Sequence, residues 1–167
     1  MSELYVNKIL SHTDANNQIQ VASGNVLYAP GHVIQVVQEV TDTEVQVAIA
    51  ATWTSLMTAT ITPKSSSSKI MIMCNAASLQ KNSETIGYKV TRASTDLIVQ
   101  SFYCDATDHW SGLPVCINYL DSPATSSAIT YTWLGYNHTN GQPLFWNYDN
   151  NTLESTNANI TLMEIAQ

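Results

Sequence analysis

The sequence predicts an all-β protein, a single antiparallel β-sandwich of the jelly-roll type preceded by a short extended arm. Short runs rich in Val, Ile and Tyr recur along the chain, and turn residues separate them. No segment combines a helical apolar stripe with caps at both ends. The 167 residues suit one domain, which is large enough to bury a core without disulfides or metal.

The arm is expected to cover residues 1–31. Its apolar residues are spread among Asn, Gln, Asp and Ser, so the segment has no core of its own. Ala29-Pro30-Gly31 closes it with a turn signal. Such a segment is ordered only by docking onto its own domain, neighbouring copies or a partner.

The sandwich is expected to cover residues 32–167. Its predicted strands are His32–Val40, Glu44–Thr52, Leu56–Thr62, Lys69–Ala77, Ile86–Arg92, Leu97–Cys104, Leu113–Leu120, Ser127–Tyr136 and Ala158–Ile165. The run KIMIMCNAA at 69–77 is continuously apolar, which predicts a strand buried on both faces. The short stretch at 93–96 predicts a hairpin turn.

Composition and charge exclude several classes of function. Six Lys and Arg against 13 Asp and Glu give a formal charge of −7, and charged residues are only 11% of the chain. A nucleic-acid binder needs clustered cations to displace counterions from phosphates. An anionic membrane surface is disfavoured for the same reason. We therefore expect neither nucleic acid nor membrane as a partner.

The three cysteines predict core thiols, not a disulfide framework. Cys74, Cys104 and Cys116 are odd in number and lack CxxC spacing, and each lies in an apolar stretch. The opening residues lack a basic region followed by an apolar run. We therefore expect synthesis in a reducing cytoplasm.

Nothing in the sequence predicts catalysis, a metal or a cofactor. The four histidines are isolated from one another, and the chain contains no HExxH, GxSxG, P-loop or GxGxxG motif. Asp105, Asp108 and His109 crowd together, but a polar loop explains them better than a cation or acid–base site. The chain is expected not to be an enzyme.

Aromatic residues among amides and carboxylates are the candidate binding residues. Trp53, Tyr131 and Trp133 lie in strand-like runs and are expected in the core. Two stretches, 105–112 and 136–148, instead place large rings beside Asn, Gly and Asp, a pattern typical of sugar or protein contact. Core packing or a subunit interface is the alternative for these rings. The candidate ligand-binding residues are Asp108, Trp110, Tyr136, Asn137, His138, Asn140, Trp146, Tyr148 and Asp149.

Several blocks of the chain resemble short fibre and tail-fibre proteins of tailed bacteriophages, notably marine and cyanobacterial ones. INYLDSPATSSAITYTW at 117–133 is similar to a recurrent block in that family, and it is the most specific match. TITPKSSSSKIMIM at 60–73, GHVIQVVQ at 31–38, SELYVNKI at 2–9 and the ending NITLMEIAQ at 159–167 also resemble its sequences.

The resemblance implies a homotrimeric β-sandwich on a virion, attached by its arm to other virion proteins and binding a host-surface glycan or protein. The arm is much shorter than a fibre shaft, and the stretches 81–84, 105–112 and 137–151 match nothing in the family. A capsid or collar decoration protein without a host ligand is therefore the alternative. A depolymerase is disfavoured because no acid pair or β-helix repeat is recognisable.

Overall fold

A computed structural model of the chain describes residues 29–48, 51–81, 84–104, 110–138, 144–147 and 156–167. Residues 1–28, the greater part of the predicted arm, lie outside the described residues. The described part is built from strands, turns and bends, as the sequence predicts. No helix long and apolar enough to cross a membrane occurs in it.

Ten strands make up the fold. They are β1 Val33–Thr41, β2 Val45–Val47, β3 Thr52–Ile61, β4 Lys69–Lys81, β5 Glu84–Arg92, β6 Thr95–Cys104, β7 Trp110–Asp121, β8 Ile129–Asn137, β9 Leu144–Trp146 and β10 Ala158–Ile165. The predicted strand at 44–52 is instead a three-residue strand, and β3 begins four residues earlier than predicted. Strand β9 was not predicted.

The strands form two antiparallel sheets that pack face to face. Sheet A has the order β1-β10-β4-β7, and β9 and β2 continue it beside the far end of β4. Sheet B has the order β3-β8-β5-β6. Two four-stranded antiparallel sheets with these strand orders form a jelly roll, which confirms the predicted fold class.

The core lies between the sheets and comes from alternate residues of each strand. On β8, Ile129, Tyr131 and Trp133 are all buried, and on β7 Val115 and Ile117 are buried in the same way. The rings of Tyr88 and Trp133 pack with their centroids 6.2 Å apart. The expected core positions of Tyr131 and Trp133 are therefore confirmed.

Strand β4 is buried on only one of its faces. Ile70, Ile72 and Cys74 point into the core, whereas Met71 and Met73 on the opposite face are half-buried. The prediction of a strand buried on both faces is therefore wrong. Within the described residues, no second layer of this chain covers that side of β4, because sheet B packs on its other side.

A turn at Ala29–His32 joins the start of the sandwich to its last strand. The His32 amide donates to the Ala29 carbonyl at 2.9 Å. Gly31, the third residue of the turn, directly follows Pro30 and has φ 82°, a conformation that favours glycine. The Gly31 amide then donates to the Ala166 carbonyl at 2.9 Å. The turn signal read from the sequence is confirmed, and it fixes where the chain enters the sandwich.

One end of the core holds a polar network. The Tyr131 hydroxyl donates to Asp121 Oδ2 at 2.8 Å, and Arg92 Nη1 donates to the same oxygen at 3.0 Å. Asp121 is 5% exposed. Burial, followed by the hydrogen bond to Asp121, raises the pKa of Tyr131 well above its ordinary value. The network links β5, β7 and β8, and therefore joins the two sheets.

Candidate functional site

The structure separates the predicted aromatic stretch 136–148 into core residues and surface residues. Trp146 is 0% exposed, and its ring meets that of Trp133 edge to face at 5.3 Å and 90°. Asn137 is also fully buried, and its Nδ2 donates to the Val47 carbonyl at 3.4 Å. Neither side chain reaches an outside ligand, so the core alternative holds for these two candidates.

Strand β9 explains why Trp146 is internal. Its three residues pair with β2 on one side, and Phe145 and Trp146 pair with β4 on the other. The following residue, Asn147, has φ 57° and donates through Nδ2 to the carbonyls of Thr41 at 3.1 Å and Thr43 at 3.2 Å. These bonds hold the short strand against the sheet, so Trp146 is directed into the core.

Other candidates have different positions or lie outside the described residues. Tyr136 and His138 lie on the outer face of sheet B, where Tyr136 is half-buried and His138 is exposed. Trp110 is the first residue of β7. The remaining candidates, Asp108, Asn140, Tyr148 and Asp149, lie outside the described residues. Among the candidates that the structure describes, it brings together Tyr136 and His138, with ring centroids 6.5 Å apart.

Trp53, which was expected in the core, joins this pair on the surface. Trp53 on β3 is half-buried and is paired directly with Tyr136 on the outer face of sheet B. The core assignment of Trp53 is therefore wrong. The reason is a register shift in β3 between Ser55 and Met57. Because of this shift, the residues before Ser55 face the side of the sheet opposite to the one that alternation from Met57 would give. Simple alternation backward from the buried Met57 cannot reveal such a bulge.

The Trp53 ring, carried by β3, contacts residues of β8 and β5. Its centroid lies 5.0 Å from that of Tyr136, at an interplanar angle of 41°. The Nζ of Lys89 on β5 lies over the ring, 4.6 Å from its centroid, within the range of a cation–π contact. Lys89 Nζ also pairs with Asp96 at 2.9 Å. We call Trp53, Tyr136, Gly87 and Lys89 the aromatic platform.

The outer face of sheet A carries a different kind of surface. Val36, Met163, Met71 and Leu120 stand opposite one another in register across β1, β10, β4 and β7. Val36 is 55% exposed and Leu120 is 43% exposed. We call these four side chains the apolar row.

On one side of the apolar row, the next row pairs Ile165 with Lys69, a half-buried cation. On the other side, the sheet surface carries no charge. The next row consists of Gln38, Thr161, Met73 and Asn118, and the one after it of Val40, Asn159, Asn75 and Cys116. Each of these twelve side chains is apolar, an amide, a hydroxyl or a thiol. A contiguous uncharged sheet face of this kind is typical of a contact surface.

The two thiols whose side chains are described differ in reactivity. Cys74 is buried between the sheets, and burial raises its pKa to about 12, with a smaller effect from Cys116. Cys116 is exposed on the outer face of sheet A. Within the described ranges, no three His, Cys, Asp or Glu side chains cluster as a metal site would require. Among the described residues, the aromatic platform and the apolar row therefore remain the candidate contact surfaces.

Comparison with known proteins gives no family assignment. No family model matches the chain, and no curated protein matches it. Solved structures with weak similarity to the chain include two of one virus. The structure of infectious bursal disease virus Gx strain has a TM-score of 0.40 and 10% identity, over 89% of this chain and 46% of that one. The structure of the Gt strain has a TM-score of 0.39 and 8% identity, over 95% and 46%. This chain spans just under half the length of both, and similarity this low assigns no function.

Proposed function

We propose that this chain is a structural subunit of a virus particle, a fibre-type protein that self-associates and contacts a host surface. The observation that carries the proposal is the outer face of sheet A, where the apolar row and two uncharged rows beside it cross the four main strands. The resemblance of residues 60–73, 117–133 and 159–167 to short phage fibre proteins supports the same function.

A second copy of this chain is the occupant that fits the apolar row best. The chain carries a formal charge of −7, so most of its surface repels another copy. The rows around Met71 and Met163 carry no carboxylate, and Lys69 at their margin is a cation. Contact there therefore avoids the negative charges that dominate the rest of the chain. Exposed Val36 and Leu120 would leave water on contact, which is favourable by about 25 cal/mol per Å² of apolar area.

A trimer is the expected assembly, because the resemblance implies one. Around a three-fold axis, the outer faces of sheet A from three copies meet, and the edge strands β1 and β7 approach neighbouring copies. Covered edges also protect such a sheet from uncontrolled pairing. The arm, residues 1–31, is then available to join other virion proteins.

Light scattering on the purified full chain tests the self-association. The expected mass at micromolar concentration is three times the 18.3 kDa of one chain. Met71→Lys should give folded monomers, because three ammonium groups would meet at the axis. Thr58→Lys, on the exposed outer face of sheet B, is the matched control and should remain trimeric.

Three results would contradict this arrangement. A monomeric wild type would contradict self-association, and a dimeric wild type would contradict the three-fold arrangement. A trimeric, folded Met71→Lys variant would place the interface elsewhere. Electron cryomicroscopy of purified virus particles whose genome encodes the chain tests the virion role separately. Sandwiches projecting from the particle support a fibre, sandwiches covered by capsid or collar neighbours support the decoration protein, and particles without the chain overturn both.

A further inference from the structure

The aromatic platform is a preformed surface on the opposite side of the molecule from the apolar row. Trp53 on β3, Tyr136 on β8 and Gly87 on β5 lie in one register across sheet B. The Trp53 side chain extends along this register past Tyr136 to the third strand. A ring held by three strands presents a fixed apolar area without the entropy cost of ordering a loop.

Gly87 makes room for the ring. A Cβ at this position would lie 3.2 Å from Trp53 Cη2, tighter than an ordinary carbon contact, and 3.5 Å from the Cβ of Tyr136. The bare backbone of Gly87 therefore lets Trp53 lie close to the sheet. Any side chain there would lift the indole away from it.

Lys89 and Asp96 determine the charge of the platform. The Lys89 side chain is only 14% exposed although it lies on the outer face, because the Trp53 ring and Asp96 cover its ammonium group. The Asp96 side chain is 50% exposed. The cation is thus already neutralised, and the chain as a whole is negative. An acidic ligand would find no free positive charge here, whereas a neutral ligand meets no penalty.

We propose that the aromatic platform binds a neutral pyranose ring of a host-surface glycan. This inference rests on the proposed function and names the ligand class of the host contact. The apolar face of a sugar packs on the Trp53 indole, and its hydroxyls bond the Asp96 carboxylate, the Tyr136 phenol and the Ser101 hydroxyl. Ser101 is exposed and pairs directly with Gly87 on the neighbouring strand.

The size of the platform favours a sugar over a protein. A protein interface buries about 800 Å² on each partner. Beyond Leu134, the outer face of β3 and β8 is hydroxylated, with Thr58 and Thr132 paired and the hydroxyls of Thr60 and Thr130 hydrogen-bonded at 2.7 Å. The apolar area around Trp53 therefore suits one or two sugar rings.

The test uses the full chain on an array of neutral hexose and N-acetylhexosamine oligosaccharides, with sialylated and uronic acid counterparts. Wild type should bind neutral glycans. Trp53→Ala should weaken that binding about 30-fold, the loss typical of one packed aromatic anchor. Gly87→Ala, which displaces the ring, should weaken it about 5-fold by the same reasoning. Thr132→Ala, on the same face away from the ring, is the control and should bind like wild type.

Several outcomes overturn the inference. Binding restricted to acidic glycans would contradict the charge argument. Unchanged glycan binding by folded Trp53→Ala would show that the aromatic platform is not the binding site. Binding of a host protein that Trp53→Ala abolishes would replace the sugar with a protein ligand. Wild type that binds no glycan would refute this inference alone, since light scattering and particle imaging test the proposed function independently. Thermal melts of each variant identify any that fail to fold.

Discussion

The carboxylate of Glu164 accepts a hydrogen bond from the backbone amide of Lys64 at 2.8 Å. The same oxygen, Oε1, accepts from the Ser65 amide at 3.3 Å, and Oε2 accepts from Gln35 Nε2 at 2.6 Å. Glu164 is fully buried. The serine-rich turn after Pro63 and the terminal strand, two of the blocks that resemble phage fibre proteins, are thus joined by one side chain.

Removal of this carboxylate should destabilise the fold. Glu164→Ala leaves the amides of Lys64 and Ser65 without their acceptor, at a cost of about 2–3 kcal/mol in the free energy of unfolding. Glu164→Gln keeps one acceptor oxygen but sets its NH₂ group against Gln35, so a loss of about half that size is expected. Urea denaturation measures both. Equal stability of Glu164→Ala and wild type would show that the turn does not depend on this acceptor.

The burial of Trp146 predicts a core defect when its ring is removed. Trp146→Ala should lower the free energy of unfolding by about 3–5 kcal/mol, as expected for loss of a buried indole. Phe145→Ala on the same strand is the control and should cost less, because Phe145 is only half-buried. Denaturant titration of both variants checks this. A Trp146→Ala protein as stable as Phe145→Ala would argue that the ring is outside the core.

The network at the end of the core predicts a smaller effect at Tyr131. Tyr131→Phe removes the hydroxyl that donates to Asp121, yet Arg92 still pairs with that carboxylate. The expected loss is about 1 kcal/mol, the usual net contribution of one hydrogen bond. Asp121→Ala should cost more, because it leaves both Arg92 and Tyr131 without their acceptor. The reverse order, measured by thermal or urea unfolding, would contradict the network.

The buried thiol of Cys74 predicts a loss of stability at alkaline pH. Its pKa is raised from the ordinary 9.0 to about 12, so above pH 9 the unfolded chain releases a proton that the folded chain keeps. The free energy of unfolding should therefore fall between pH 9 and 12, by up to about 1.4 kcal/mol per pH unit from this group. Ionisation of Tyr131, whose pKa is also raised, acts in the same direction.

The slope of stability with pH isolates the thiol. Cys74→Ala removes this titration, so its stability should fall less steeply than that of wild type over the same range. Tyr131 is unchanged in both proteins and contributes equally. Parallel curves for wild type and Cys74→Ala would contradict the argument. At pH 8, iodoacetamide followed by peptide mapping should modify exposed Cys116 and spare Cys74.

Most of the fold follows from local patterns in the sequence. The apolar runs identified most of the strands, the strand-like context of Tyr131 and Trp133 identified them as core, and the Pro-Gly pair at 30–31 identified the turn. These signals depend on neighbouring residues alone. The sequence could not reveal β9, because Leu144–Trp146 is too short to show a period and is a strand only by pairing with β2 and β4.

The candidate site was predictable only in part, for a similar reason. Tyr136 and His138 are on the surface as predicted, but Trp146 is internal and Trp53 is external. Which face a ring takes depends on register, and the shift between Ser55 and Met57 changes that face for Trp53. The aromatic platform assembles from three strands that are distant in sequence, so no motif marks it.

The outer faces of the two sheets point in opposite directions, and this has a consequence for binding strength. A contact through the outer face of sheet A leaves Trp53 pointing away from it in every copy. Three copies would then present three sugar sites that face outward around the axis, and a long glycan chain that reaches more than one of them makes its later attachments at millimolar effective concentration. Avidity of this kind strengthens attachment about 10²–10⁴-fold without a new contact. Each single site can then stay weak, so that one attachment is reversible while several together hold the particle.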